Sequence, residues 1–298
     1  MRLHFIGLGE AHMFNLAIAL HKKGEVVTGS DEKFDGSLTS IMREQGLVSN
    51  QTGWFSDRIN DRLDAVILGT AVKEDNPELI RAQELGLKIF SFSGFLYELT
   101  KYKTRVVVAG SQRRFMVASM ILHVLEYNDI KVDHAVSATN GIHLTNENDF
   151  VLIEGGDGIS SIIDKTPQFH KYRPNIALLS DIEFEENGSY ADFDTYAEQY
   201  SIFVDSIVKG GSITYNDEDV EVKKRVESSE NPIRKLPYVT PEYQEMDGEV
   251  FLDTPDGEMP LEISGRTALN NLAGAKWICQ QMGVDEVEFY EAMATFKS

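Results

Sequence analysis

Apolar residues gather along the chain in short β-branched runs separated by stretches of helical spacing, an alternation that predicts parallel strands joined by crossover helices. Leu3 to Ile6 reads as a strand, Gly7-Leu8-Gly9 as a glycine turn, Met13 to Lys23 as a helix, and Glu25 to Gly29 as a second strand closing on Ser30-Asp31. That order is the opening βαβ of a dinucleotide-binding-like fold. It is repeated further on by a strand at Asp64 to Leu68, a helix from Pro77 to Leu85 stopped by Gly86, and a strand at Lys88 to Ser91. A first domain over residues 1–100 follows, and a second over 101–298.

The second domain is predicted to start with the strand Arg105 to Val108 and the helix Phe115 to Tyr127. Strands near Val151 to Glu154, Ala177 to Ser180 and Ser212 to Tyr215 would complete a parallel sheet. From Leu236 to Ile263 the runs shorten and are broken by Thr240-Pro241, Asp247-Gly248 and Asp256-Gly257, which reads as a small antiparallel β insert. Ala268 to Phe296 is predicted helical.

Composition narrows the function classes. A chain of 298 residues with 42% apolar content can bury a sizeable core, and its length suits two domains. The net charge of -20 argues against nucleic acid or an anionic membrane as a partner, because the overall field repels both. Cys279 is the single cysteine, so no intrachain disulfide can form; this suits a reducing compartment, and the residue itself reads as a small buried hydrophobe. The apolar N-terminus, Met1 to Gly7, is too short for a signal peptide, and no run approaches the roughly 20 apolar residues of a membrane span. A cytoplasmic location is expected.

The chemistry concentrates in Gly110-Ser111-Gln112-Arg113-Arg114-Phe115, which lies between the strand ending at Val108 and the helix at Phe115. A loop in that position aims backbone N–H groups and a helix N-terminus at an anion, the geometry of a phosphate-binding loop. Such a loop uses a glycine to close on phosphates, a lysine to reach their oxygens and a hydroxyl to hold Mg²⁺. Here those places hold Arg113, Arg114 and Phe115. Taken alone, Gly-Ser after a strand also serves as an ordinary tight turn.

Its neighbours add meaning. With Asn76-Pro77-Glu78-Leu79, Asp149 to Glu154, Pro174 to Leu178 and Leu269 to Ala275, the chain resembles the Mur ligases in order over essentially its whole length. Within them the likeness is nearest to the UDP-N-acetylmuramate ligases, including the muropeptide-recycling kind. The resemblance implies an α/β protein with a Rossmann-like N-terminal domain that binds a UDP-sugar. A P-loop-NTPase-like central domain, carrying the β insert, would follow and bind ATP and Mg²⁺. The family's third, C-terminal ligase domain would begin about where this chain ends, and it is expected to be absent.

Residue by residue, the resemblance also implies damage. In the phosphate loop Gly110 and Ser111 are kept, while Arg113 replaces glycine, Arg114 replaces lysine, and Phe115 and Met116 replace the hydroxyl pair. Arg113 is expected to fill phosphate space, with added strain if that glycine had positive φ. At the metal positions Glu154 is kept, but Gly156 and Asp157 stand for an acidic pair, and Glu185 and Glu186 stand for an Asp-His pair. Glu154 by itself reads as a solvated strand-end residue. The family's His-Asn-x-x-Asn signature is reduced to Thr267, Ala268 and Asn271.

In the sugar-nucleotide loop Gly7, Gly9 and Asp31 survive. Glu10 replaces a glycine and would repel a diphosphate, His12 replaces a small residue and reads as a helix-surface side chain, and Ala71 replaces a histidine. The substrate loop near Thr139 to Ile142 looks shortened. The expected outcome is a protein without turnover and without the ATP and Mg²⁺ of its family. Its partner would be a peptidoglycan-precursor ligand or an active Mur ligase paralogue. The competing expectation is a ligase in which Arg113 and Arg114 themselves bind phosphate.

Overall fold

The computed structural model describes residues 1–34, 40, 43–48, 52–137, 141–185, 190–246, 249–254 and 257–297. Glu186, Thr139, the Asp247-Gly248 turn and Asp256 lie outside them. The chain divides into two compact units, each a parallel sheet flanked by helices.

The first unit comprises Met1–Tyr102, Asn140–Glu147 and Gly158–Tyr172, so two later segments join the stretch that the sequence pattern assigns to it. Its sheet runs β2 (Val26–Ser30), β1 (Arg2–Ile6), β3 (Ala65–Leu68), β4 (Ile89–Ser91), all parallel. Leu3, Phe5 and Ile6 of β1 and Val66 to Leu68 of β3 are wholly buried, as strands covered on both faces must be. Helix α1 (Ala11–Lys22) crosses from β1 to β2, α2 (Pro77–Glu84) from β3 to β4, and α3 (Phe92–Thr100) follows β4. Asn76 starts α2 by accepting from the N–H groups of Glu78 and Leu79, with Pro77 in the first turn. Ile6 is level with Ser30 and with Leu68, so the loops after β1, β2 and β3 leave the same edge. The short strand β7 (Ile142–His143) and the antiparallel pair β9 (Ile159–Ser161) and β10 (Asp164–Pro167) also belong here. Polar β10 gave no hydrophobic signal.

The second unit is Lys103–Thr139, Asn148–Asp157 and Arg173–Ser298. Its strands are β5 (Thr104–Ala109), β6 (Asp133–Ala135), β8 (Phe150–Gly155), β11 (Ile176–Leu179), β12 (Ser212–Asn216) and β13 (Arg234–Tyr238). They lie in the order β13-β12-β11-β5-β8-β6, every neighbouring pair parallel. In register, Ala109 at the end of β5 is level with Leu179 of β11 and Gly155 of β8. The residues after those three strands therefore meet at the carboxyl edge of the sheet, where open α/β sheets place ligands.

Helices α4 (Arg114–Tyr127), α7 (Arg266–Gln281) and α8 (Glu286–Met293) bury their apolar faces in one cluster with β5, while α5 (Phe193–Ser206) and α6 (Val220–Ser228) complete the unit. The predicted insert is real but smaller. It is a meander of β14 (Tyr243–Met246), β15 (Glu249–Thr254) and β16 (Gly257–Leu261), whereas Leu236 to Tyr238 extends the parallel sheet as part of β13. The helical tail breaks in two at Gly283, and Asp285 restarts it through a capping box with Glu288.

Leu272 of α7 is 1% exposed within this cluster. Replacing it with alanine removes buried methyl groups and leaves a cavity, so Leu272→Ala should lower unfolding free energy by about 2–5 kcal/mol in urea titration without changing the slope.

Candidate functional site

The loop after β5 has the shape of an anion nest, and a side chain of the protein fills it. Asp181, two residues beyond β11, is wholly buried. Its Oδ2 accepts from the Gln112 N–H at 2.9 Å, and its Oδ1 from the Arg113 N–H at 3.2 Å and the Ser180 hydroxyl at 2.6 Å. A buried carboxylate needs such donors, and a helix N-terminus supplies them with a favourable dipole. Gly110 is required because the fit is close. Its φ is +150°, and a Cβ would sit 2.1 Å from Ser180 Oγ and 2.5 Å from Asp181 Oδ1.

Arg114 serves the opposite role. Its guanidinium donates to the carbonyls of Gly110 and Ser111 and to Glu154 Oε1, the last at 3.2 Å, and lies 3.6 Å from Asp157. It also stands over the Phe115 ring at 4.7 Å. Glu154 is not a solvated strand-end residue. Its side chain is 7% exposed, and its second oxygen accepts from the Ser137 N–H at 2.9 Å. Arg113 departs from expectation differently: its φ of −88° and ψ of −16° are ordinary right-handed values, so that position stores no backbone strain, and its side chain turns toward Glu183 at 3.6 Å.

Ser111, the kept hydroxyl, is enclosed by a polar network. Its Oγ accepts from the Glu183 N–H at 2.7 Å and from the Tyr196 hydroxyl at 3.0 Å. Tyr196 in turn lies 2.7 Å from Asp157 Oδ2 and 2.8 Å from the Tyr200 hydroxyl. Burial, reinforced by the Asp157 charge, pushes both phenols well above the usual tyrosine range. Gln112 Nε2 holds Glu185 at 2.6 Å. Beside the loop a cleft of about 340 Å³ is lined by Arg113, Asn216, Glu218, Asp219, Arg266, Thr267 and Asn270. Of the signature remnants, Thr267 reaches this cleft, Ala268 packs on the core, and Asn271 is buried with no partner for its Oδ1 among the described residues. Asn270 takes the cleft position instead, donating to Asn216 and Thr240 at 3.2 Å.

The first unit repeats the pattern. Gly7, Gly9, Glu10, Asp31 and Ala71 all line one cleft of about 510 Å³. Glu10 accepts from the Thr70 N–H at 3.2 Å, the Thr70 hydroxyl at 2.7 Å and the Ala71 N–H at 3.0 Å. Asp31 accepts from the N–H groups of Gly9 at 2.8 Å and Lys33 at 3.1 Å. His12 is not a free surface side chain: its ring packs edge-on to Phe92 at 4.7 Å, its Nε2 is 3.3 Å from Glu10, and burial holds its pKa down against the pull of that carboxylate.

Residues 2–104 match the family described as "Mur ligase family, catalytic domain". The chain carries a Mur ligase family domain. It is 26% identical over 313 residues to the UDP-N-acetylmuramate–L-alanine ligase of Streptomyces coelicolor, covering 99% of this chain and 65% of that protein. The enzyme of that name from Streptomyces griseus is 29% identical over 76% of this chain and 48% of its own length. The chain thus spans about 65% of the length of relatives that it matches end to end. Among solved structures, a UDP-N-acetylmuramate:L-alanyl-γ-D-glutamyl-meso-diaminopimelate ligase from Neisseria superposes with a TM-score of 0.87 at 21% identity, covering all of this chain and 98% of that one. The UDP-N-acetylmuramate-alanine ligase of Thermotoga maritima gives 0.75 at 18%, covering 100% and 69%. The Rossmann-like and P-loop-like architecture is that of the Mur ligases.

The ATP and Mg²⁺ that the resemblance implies do not fit the residues present. Asp181 holds the loop N–H groups a phosphate would need, and Arg114 places a cation on the carboxylates a metal would need. Among the described residues, no group of three or more His, Cys, Asp or Glu side chains is arranged to hold a metal ion. Likewise, no described helix is long and apolar enough to cross a membrane. Asp181, Asn270, Tyr196 and Tyr200 were missed from sequence. A Ser-Asp pair at the end of an apolar strand was the available signal for the first.

Arg114→Met leaves Glu154 buried without its cation, and should cost about 3–5 kcal/mol in denaturant unfolding. The raised phenols give a pH dependence. The folded state holds these protons more tightly than the unfolded chain, so their contribution to stability is complete below about pH 10 and declines as pH rises above it. Absorbance titration should show Tyr196 and Tyr200 ionising above the usual tyrosine range.

Proposed function

We propose that this chain is a Mur-ligase-type scaffold related to peptidoglycan-precursor synthesis or recycling, one that binds a ligand or a partner and does not turn over ATP. The observation that carries the reading is the double occupancy at the loop after β5: the protein's own carboxylate, Asp181, in the anion nest and its own guanidinium, Arg114, on Glu154 and Asp157. The reaction of the named relatives, joining a carboxylate to an amine with ATP, would need phosphates and a metal where these groups sit. The kept architecture supports a binding role toward a peptidoglycan-precursor ligand or an active Mur ligase paralogue.

The alternative, an active ligase with an arginine-built phosphate site, draws support from Arg113, which lines the 340 Å³ cleft beside Arg266. Arg114 speaks against it, since its donors are committed to two backbone carbonyls and two carboxylates.

Calorimetric titration with ATP and Mg²⁺ at millimolar concentration should give no binding heat. Incubation with ATP, Mg²⁺, UDP-N-acetylmuramate and L-alanine should release no ADP above background. A micromolar dissociation constant or steady ADP release overturns the reading. Asp181→Ala supplies the positive arm. It strips the acceptor from two N–H groups, which should cost about 1–3 kcal/mol of stability, and inorganic pyrophosphate should then raise the melting temperature of the variant but not of the parent.

A further inference from the structure

The 340 Å³ cleft of the second unit has a cation and an acceptor that the protein leaves unmatched. Its charged lining is Arg113 and Arg266 against Glu218 and Asp219, so the formal charges cancel, but the bonds do not divide evenly. Glu218 accepts from Arg266 at 2.8 Å and from the Thr240 N–H and hydroxyl at 3.1 and 2.8 Å. Asp219 starts α6 by accepting from the N–H groups of Glu221 and Val222, and its other oxygen accepts from the Ile182 N–H. Both acids are thereby spent. Arg113 has only Glu183 as an ion-pair partner, at 3.6 Å, and among the described residues its guanidinium makes no hydrogen bond. The acceptor is Asn270 Oδ1. Asn216 Nδ2 donates to the Ser180 carbonyl at 3.0 Å, which leaves Asn216 Oδ1 to accept from Asn270 Nδ2 at 3.2 Å. That contact sets which way round the Asn270 amide lies. Its Oδ1 is left with no partner among the described residues, on a side chain that lines the cleft yet is 2% exposed. An unmet buried acceptor is costly, and an N–H donor from a ligand relieves it.

We propose that this cleft takes an N-acylated α-amino acid, the C-terminal residue of a short peptide, with its carboxylate on Arg113 and its amide N–H on Asn270 Oδ1. The planar fork of an arginine suits a carboxylate, which it grips through two parallel bonds. In such a ligand the carboxylate and the N–H sit on one carbon, so a single small molecule meets both demands. A bare anion satisfies Arg113 and leaves Asn270 unmet, and a neutral heterocycle does the reverse. The volume is near the lower end of the roughly 300–1,000 Å³ usual for small-molecule sites, which suits a ligand of one or two residues rather than a long chain. The inference rests on the reading of the chain as a binding scaffold, and it names the ligand class for the second unit of that scaffold.

The test uses the full chain with N-acetyl-L-alanine as the probe, read by saturation-transfer NMR, beside N-acetyl-L-alaninamide, propionate and adenosine, with inorganic phosphate as a competitor. N-acetyl-L-alanine should bind in the millimolar range or tighter. The alaninamide, which lacks the carboxylate, and propionate, which lacks the N–H, should each bind at least tenfold more weakly, a difference of about 1.4 kcal/mol. Adenosine should also bind at least tenfold more weakly, and phosphate at the probe's own concentration should not displace it. Arg113→Met should weaken N-acetyl-L-alanine about tenfold with an unchanged circular-dichroism spectrum, which assigns the signal to this cleft. Asn270→Ala should narrow the gap between N-acetyl-L-alanine and propionate; if that variant does not fold, the same pair of probes on the parent reads the contact. Failure of N-acetyl-L-alanine to bind parent protein with a native spectrum overturns the inference. So does binding of the alaninamide, adenosine or phosphate as tight as that of the probe, or an Arg113→Met variant that binds like the parent. A folded Asn270→Ala variant with an unchanged gap overturns the assigned acceptor. Those failures leave the ATP result untouched, and ATP turnover would overturn the proposed function without touching the carboxylate arms.

Discussion

The carboxylate of Asp181 under the amides of Gln112 and Arg113 is the contact on which the second unit's edge is organised. A turn that leads into a helix leaves several N–H groups pointing one way, and they must find an acceptor when buried. In a phosphate-binding loop the ligand supplies it. Here β11 ends early enough for Asp181 to do so, and Gly110 has no side chain to keep it out. With the loop fixed from within, Arg114 at the first position of α4 can fold back over its carbonyls. From there it reaches Glu154 in β8 and Asp157 just beyond that strand. Asp157 in turn orients Tyr196, and Tyr196 encloses Ser111.

Charge balance explains why these features occur together. Asp181 is compensated by the loop amides, and Glu154 and Asp157 by Arg114, so each buried charge has a partner within hydrogen-bond or ion-pair reach. Substituting lysine for Arg114 would shorten the reach and reduce the planar fork that serves carbonyls and carboxylates at once. A bound metal would compete directly with the guanidinium. The first unit reaches the same result with Glu10 and Asp31 on the amides of its own loops. In both units carboxylates of the protein itself accept from the loop amides.

How far the sequence carries differs between fold and site. The buried strands were legible because a parallel sheet covered on both faces writes continuous β-branched runs, as at Val106-Val107-Val108 and Ala65-Val66-Ile67-Leu68. Polar, short elements were not: Asp164–Pro167 carries no such pattern, and Arg234–Tyr238 was mistaken in part for the insert because Lys235 and Pro237 interrupt it at a sheet edge. Gly7, Gly9, Glu10, Asp31, Gly110, Arg114, Glu154 and Asp157 were all singled out by position. Their partners were beyond reach, since pairing Arg114 with Glu154, or Glu10 with Thr70, depends on contacts 40 and 60 residues apart.

That gap changes the meaning of the substitutions. On the sequence they form a series of separate losses, each weakening the site expected for ATP or a UDP-sugar. In three dimensions Arg114 serves as an internal cation on Glu154 and Asp157, and Asp181 as an internal anion on the loop amides. Arg114→Lys would relax the hold on Glu154, while the nest would still contain Asp181. Removing Asp181 would free the amides but leave the Arg114 guanidinium on Glu154 and Asp157. Under the proposed function the site is better described as rebuilt around its own side chains than as eroded, because a phosphate and a metal would compete with Asp181 and Arg114 for the groups they hold.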